Sequence, residues 1–271
     1  MSLASATRSE LTKQFSTALW WILMIVLAGY VAITAAGLAF VIAASSTGLI
    51  GGNAQSTPTA DGAAPLLYSL AASVGYVFPL LIGTLLVTGE FRHKTLTPTF
   101  LAIPRRGMVL WGKIIAGALM GVLYAVAAAV ATTAPSAAIL AGFGLATELG
   151  SIDTWALLGR VVIAFVLWTL IGIGVGLVVR NQVAAIVIVL AFTQFIEPLL
   201  RVGGSFVAGI SDAARFLPGA ASDALVGSSL LTFGGGSSET LQWWAGGAVL
   251  LAYGAVLLVL GYLTSWRRDV A

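Results

Sequence analysis

The chain has 271 residues, 8% of them charged and 59% hydrophobic, against roughly 25% and 45–50% in an ordinary soluble chain. So little charge cannot coat a water-soluble globule, and a mean hydropathy of +1.03 directs the surplus apolar residues into lipid. The lack of cysteine excludes disulfides, thiolate metal sites and cysteine nucleophiles. A single histidine, His93, leaves no material for a zinc site or a Ser/His triad, and a net charge of +3 matters less than where the basic residues lie.

In chain order, residues 1–19 read as an amphipathic helix lying in the membrane interface. Thr7 and Glu10 suit a capping box. Leu3, Leu11, Phe15 and Ala18 fall near one face, with Arg8, Glu10, Lys13 and Gln14 toward water or headgroups. The blander alternative is a frayed polar leader. The apolar run that follows is too long for a signal-peptide core and has no clear small-residue cleavage site.

Runs near the 20 residues needed to cross about 30 Å of hydrocarbon predict six spans: Trp20–Ala44, Leu66–Thr88, Ile114–Thr133, Ala156–Val179, Val183–Ile196 extending toward Leu200, and Trp243–Thr264. Arg180, Asn181 and Gln182 form a short hinge between the fourth and fifth. Gln194, Glu197 and Pro198 interrupt the fifth, which is expected to stop short of the far interface. Ser45–Pro65 reads as an exposed outer loop. Residues 201–242 are short apolar pieces (Phe206–Ile210, Ala213–Leu217, Ala224–Phe233) broken by Gly, Pro and Asp, suited to short re-entrant or interfacial helices. The expected fold is all-α, one transmembrane domain over 1–271.

With the N terminus in the cytoplasm, Arg8, Lys13, Arg92, Lys94, Arg105, Arg106, Lys113, Arg180, Arg267 and Arg268, ten of the thirteen basic residues, lie on that side. This satisfies the positive-inside rule with both termini cytoplasmic in a multi-pass cell membrane protein. Trp20, Trp21, Trp111, Trp155, Trp243, Trp244 and Trp266 mark span ends, where the amphipathic indole prefers the headgroup level.

No G-x-x-x-x-G-K-[ST] phosphate loop occurs; Gly89–Thr95 has His93 where the second glycine must stand. The spans carry no Asp or His near their centres to serve as an ion relay. Work for transport therefore has to come from another subunit.

The informative stretch is Thr88-Gly-Glu-Phe-Arg-His-Lys-Thr-Leu-Thr-Pro-Thr-Phe-Leu-Ala-Ile-Pro-Arg-Arg-Gly-Met-Val-Leu-Trp-Gly-Lys113. It resembles the inner loop after the second span in permeases of type-2 ABC exporters, where E-[FY]-R-x-[GK]-T precedes L-x-x-P-x-R and a lysine opening the third span. Glu90, Phe91, Arg92, Lys94, Thr95, Leu101, Pro104, Arg105, Arg106 and Lys113 carry the match. Lys94 stands where glycine is often found, and Pro98 is expected to end the loop helix near Thr97. Arg8–Lys13 with Trp20-Trp21, and Phe216-Leu-Pro-Gly219 with Ala224-Leu225, resemble the family's entry helix and outer segment.

The resemblance implies a permease subunit that moves an amphipathic or hydrophobic cargo (drug, lipid or peptide) outward and is not itself an enzyme. Its implied partners are separately encoded ABC ATPase subunits, which bind the ATP and magnesium, a second copy or a homologous permease, and membrane lipid; nucleic acid is not among them. Residues 89–113 become the coupling loop, with Glu90, Phe91, Arg92 and Thr95 contacting the motor or fixing the loop, and Arg105, Arg106 and Lys113 holding its return at anionic headgroups. From charge alone the loop equally satisfies topology with no partner.

Glu197 and Arg201 lie four apart, in reach of an ion pair near the outer end of the fifth span, either a candidate outer gate or ordinary interface charges. His93 reads as a headgroup-level polar residue rather than a switch. Of Gly172, Gly174 and Gly176, two suit close helix packing. The rival reading is a motor-free secondary carrier or an integral membrane scaffold.

Overall fold

A computed structural model describes residues 2–49, 62–102, 105–204, 212–227 and 241–266. The protein is an all-α polytopic membrane protein. Its six long apolar helices are Leu19–Ser46, Ala63–Arg92, Arg106–Gly142, Ile152–Val178, Gln182–Gly203 and Trp243–Ser265. Each contains its predicted run to within one residue. Pro104, Arg267, Arg268, the piece Phe206–Ile210 and most of the loop Ser45–Pro65 lie outside the described residues.

Three spans depart from expectation for local reasons. The third is 37 residues long, about 55 Å at 1.5 Å per residue, so it projects beyond the hydrocarbon. The second is two helices, Ala63–Gly75 and Val77–Arg92, joined at Tyr76. Pro79 has no N–H for the carbonyl four residues back and weakens the helix there. The fifth does not stop short. Pro198 likewise removes the bond to the Gln194 carbonyl, and the chain answers with a π turn over Phe192–Ile196 before continuing as Glu197–Gly204.

The fourth span is the hub, packing on the second, third and sixth. A Cβ on Gly83 would run into the Thr169 carbonyl, and one on Gly172 into the Leu80 carbonyl. Gly176 presses on Thr84 in the same way, so the second and fourth spans meet backbone to backbone. Gly174 turns the other way, onto Leu257 of the sixth span. All three glycines are therefore used, on two faces, rather than the two expected. In lipid, where apolar burial gives no net drive between helices, such close van der Waals approach is the main adhesive.

Loop chemistry closes the bundle. The Asn181 side chain caps the fifth span, accepting from Val183 and Ala184 N–H at 3.0 and 3.1 Å. Arg180 donates to the Thr264 carbonyl (3.0 Å) and Ser265 Oγ (3.1 Å) at the end of the sixth span.

Gly172→Val is expected to cost ~1–3 kcal/mol or more through overpacking. Gly29→Val, where a Cβ meets open space, should cost well under that. Thermal unfolding of both variants in detergent, followed by size-exclusion chromatography, checks the contrast.

Candidate functional site

At the basic end of the bundle three elements converge: the N-terminal helix Leu3–Phe15, the end of the second span and the start of the third. The N-terminal helix starts at Leu3 on a Ser2 cap, whose Oγ accepts from Ser5 N–H at 3.3 Å; Thr7 is inside it, bonding back to the Leu3 carbonyl. The predicted Thr7/Glu10 capping box is thus not formed. Its facing also differs from the amphipathic reading. Ala6, Glu10 and Lys13 turn toward the third span, where Gly112 leaves room for the backbone at Ala6 and Thr7, while Leu3 and Phe15 are exposed.

The inward face closes a ring of four charges. Lys13 Nζ lies 2.7 Å from Glu10 Oε1 and 2.8 Å from Glu90 Oε1; Lys113 Nζ lies 2.6 Å from Glu10 Oε2 and 2.8 Å from Glu90 Oε2. Each carboxylate spends one oxygen on each ammonium. Lys113 has 0% side-chain exposure, so it does not reach headgroups as expected; it is the buried centre of the clamp. Glu90 is likewise turned inward, its side chain 8% exposed. Burial opposes charge on Lys13, but Glu90 and Glu10 outweigh it and hold its pKa above the ordinary 10.5.

Below the ring, the second span ends in a Schellman turn: Thr95 N–H returns to the Glu90 carbonyl (3.1 Å) and Lys94 N–H to Phe91 (3.4 Å). This requires Lys94 in the left-handed region, φ 53°. The third span ends in the same turn with Gly144 at that position, which explains physically why glycine would suit position 94. Thr95 then opens the loop helix Leu96–Ala102, its carbonyl accepting Thr99 N–H at 3.2 Å. Pro98 falls in the first turn, where its missing N–H costs nothing, so it begins this helix instead of ending one.

Phe91 packs inward with Leu86, Val87, Leu96 and Val109. Arg92, His93, Lys94, Thr95 and Arg105 are exposed; Arg92 approaches Gln182 Oε1 at 3.5 Å. Arg106 lies over the Phe100 ring, 5.2 Å from its centre. Among the described residues of this loop the large apolar side chain turned outward is Leu101, 79% exposed, whereas the sequence reading had Phe91 contacting the motor or fixing the loop.

A second polar cluster lies deeper. Glu197 and Arg201 do not pair with each other. Glu197 Oε1 accepts the N–H groups of Gly219 and Ala220, at the start of the helix Pro218–Val226, and Arg201 Nη2 meets Asp223 Oδ2 at 2.6 Å. Ser73 Oγ donates to Asp223 Oδ1 (2.8 Å), Tyr76 OH to the Thr193 carbonyl (3.0 Å) and Trp168 Nε1 to Ser222 Oγ (3.0 Å). Tyr76 and Trp168 stack at 4.6 Å. Because Tyr76 and Trp168 sit well inside their spans, this cluster lies within the bundle rather than at the outer end predicted for Glu197. Asp223 lies on a short helix in the stretch expected to hold short re-entrant or interfacial helices, but no partner for it was evident from the sequence.

No model of a known protein family matches the chain, and no curated protein matches it. Among the described residues, no group of His, Asp or Glu could hold a metal ion.

Lys113→Met strands two buried carboxylates and is expected to cost about 3–5 kcal/mol. Lys13→Met, at a side chain 39% exposed, should cost ~1 kcal/mol or less; thermal unfolding of the two variants ranks them. Because the folded pKa of Lys13 is raised, its contribution is complete below pH 10.5 and is lost only as pH rises through the higher folded value. A fluorophore on Ser9→Cys, in a chain without native cysteine, should report a docked N-terminal helix through neutral pH and release only in strong alkali.

Proposed function

We propose that this chain is the transmembrane permease subunit of an ATP-driven exporter of the type-2 ABC class, with its basic end in the cytoplasm. One observation carries the reading: a short helix, Leu96–Ala102, hangs between two spans whose adjoining ends are clamped by the four-charge ring to the N-terminal helix. A lever needs a stiff mount. A push on a loop attached to free helix ends would be absorbed as local bending; here the loop, the second and third spans and the interfacial helix move together.

The motor is a separate ATPase subunit, which supplies the ATP and magnesium chemistry. Leu101 is the apolar knob that enters its cleft, with Arg92, Thr95 and Arg105 around it; Glu90, Phe91 and Lys113 transmit the force without touching the motor. Arg106 steadies the loop's return through Phe100. Motion of the second span passes to the fourth through the glycine contact at Gly83, Gly172 and Gly176. A second copy, or a related permease, completes the route. The apolar exteriors of the spans favour an amphipathic or hydrophobic cargo, and Glu197 and Arg201 belong to a closure within the bundle.

Arg92→Ala and Leu101→Ala, both outside the ring, should leave folding intact and lower cargo-stimulated ATP hydrolysis of the reconstituted complex about tenfold, the ~1.4 kcal/mol of a good interface contact. Unchanged stimulation in both variants refutes the coupling assignment.

A second reading has one observation in its favour. Glu197 and Asp223 are buried carboxylates inside the bundle, the kind of group an ion-coupled carrier uses. Vesicles holding only this chain decide it: uphill cargo movement on a proton or sodium gradient, without ATP, establishes the carrier and removes the exporter.

A further inference from the structure

The helix Pro218–Val226 is held in two unlike ways. Its backbone packs on the sixth span, where Gly246 lies against the Ala221 carbonyl and the Leu225 amide, and it also packs on the fourth and second spans. Every described side chain from Pro218 to Val226 is buried except Ala220, which is partly so. Contacts of that kind rest on shape and have no second arrangement. Toward the fifth span the bonds are ionic: the Glu197 carboxylate on the Gly219 and Ala220 N–H groups, and Arg201 on Asp223.

The fifth span is built to move. Its first ten residues run along the second span; in the rest Thr193 and Glu197 are buried and Arg201 is part-buried, four residues apart, while Phe195, Leu199 and Leu200 face outward. Between the two parts sits the π turn Phe192–Ile196, where the helix is already wide and Pro198 has removed a backbone bond. Tyr76, at the break in the second span, is tied to that turn through the Thr193 carbonyl. The weak points of two spans therefore lie side by side.

We infer that residues 197–204 form a hinged wall, pivoting on the π turn and latched shut to the helix Pro218–Val226 by Glu197 and Arg201. The latch is only half used. Glu197 is 1% exposed, yet its Oε2 has no hydrogen-bond partner among the described residues. A carboxylate held by one oxygen at a helix N-terminus keeps the closed state while leaving it the easier one to open. The device is a property of the bundle itself and does not depend on the ATP-driven reading.

The chain has no cysteine, so engineered pairs label cleanly. Spin labels on Leu199→Cys, beyond the hinge, and Trp244→Cys, on the sixth span, report the wall; labels on Val187→Cys and Leu251→Cys report the part before the hinge. In nanodiscs without nucleotide or cargo, the parent should give one narrow distance for each pair. Glu197→Gln and Arg201→Lys should each add a population several ångströms longer to the first pair and leave the second unchanged. An unchanged first pair overturns the latch, and equal lengthening of both pairs overturns the hinge. Should either variant fail to remain monodisperse, Asp223→Asn tests the same bond from the other side with the same two readings. Because no ATPase is present, failure of the exporter reading leaves these distances untouched.

Discussion

A lysine with no exposure to solvent stands where an apolar bundle meets the membrane surface, and the basic end is organised around it. Taking an ammonium out of water carries a penalty of several kcal/mol even after relaxation. Lys113 is tolerable because two carboxylates reach it at 2.6 and 2.8 Å. Those carboxylates are buried in turn, and Lys13 completes their neutralisation. Each member is acceptable only in the presence of the others. The N-terminal helix, the second span and the third span are thereby held in one arrangement. Buried ion networks add little net stability and can fix register.

The other half of the constraint is backbone proximity. Gly83, Gly172 and Gly176 bring the second and fourth spans closer than any side chain permits, and Gly174 does the same for the sixth. The ring fixes the near ends of the second and third spans, and the glycine contact carries that position into the hub. Close contact thus runs from the clamped ends of the second and third spans to the middle of the bundle, until it meets the breaks at Tyr76 and at Phe192–Ile196.

How much of this could be read from the amino acids follows from the range of each interaction. The spans were legible because their cause, a long apolar run, is local and strong. The hinge at Arg180–Gln182 was legible for the same reason. Pro98 and Pro198 were noticed but misjudged: both were taken as stops, whereas one sits in a first turn where no donor is needed and the other produces a wider turn that the helix survives. Lys94 stood out as an unexpected residue, but its left-handed backbone is a fact of the turn. The ring was out of reach. Glu10 to Lys113 and Lys13 to Glu90 join residues 103 and 77 positions apart, and helical periodicity alone would have sent those charges to water. Glu197 and Arg201 were expected within reach of each other, whereas each finds its partner 22 positions on, in the helix Pro218–Val226.

The two clusters divide the labour that one charge network could not perform alone. The ring has paired charges, two of each sign, and holds its elements through four short contacts. The deeper cluster is asymmetric: Arg201 serves Asp223, Glu197 leans on two backbone amides, and one carboxylate oxygen is idle. In the ring every charge meets two of opposite sign, so displacing any one of its elements breaks ion pairs. An asymmetric network has a direction of easy failure, and here that direction separates residues 197–204 from the helix Pro218–Val226. The two spans that meet at this cluster are also the two that are already interrupted, at Tyr76 and at Phe192–Ile196.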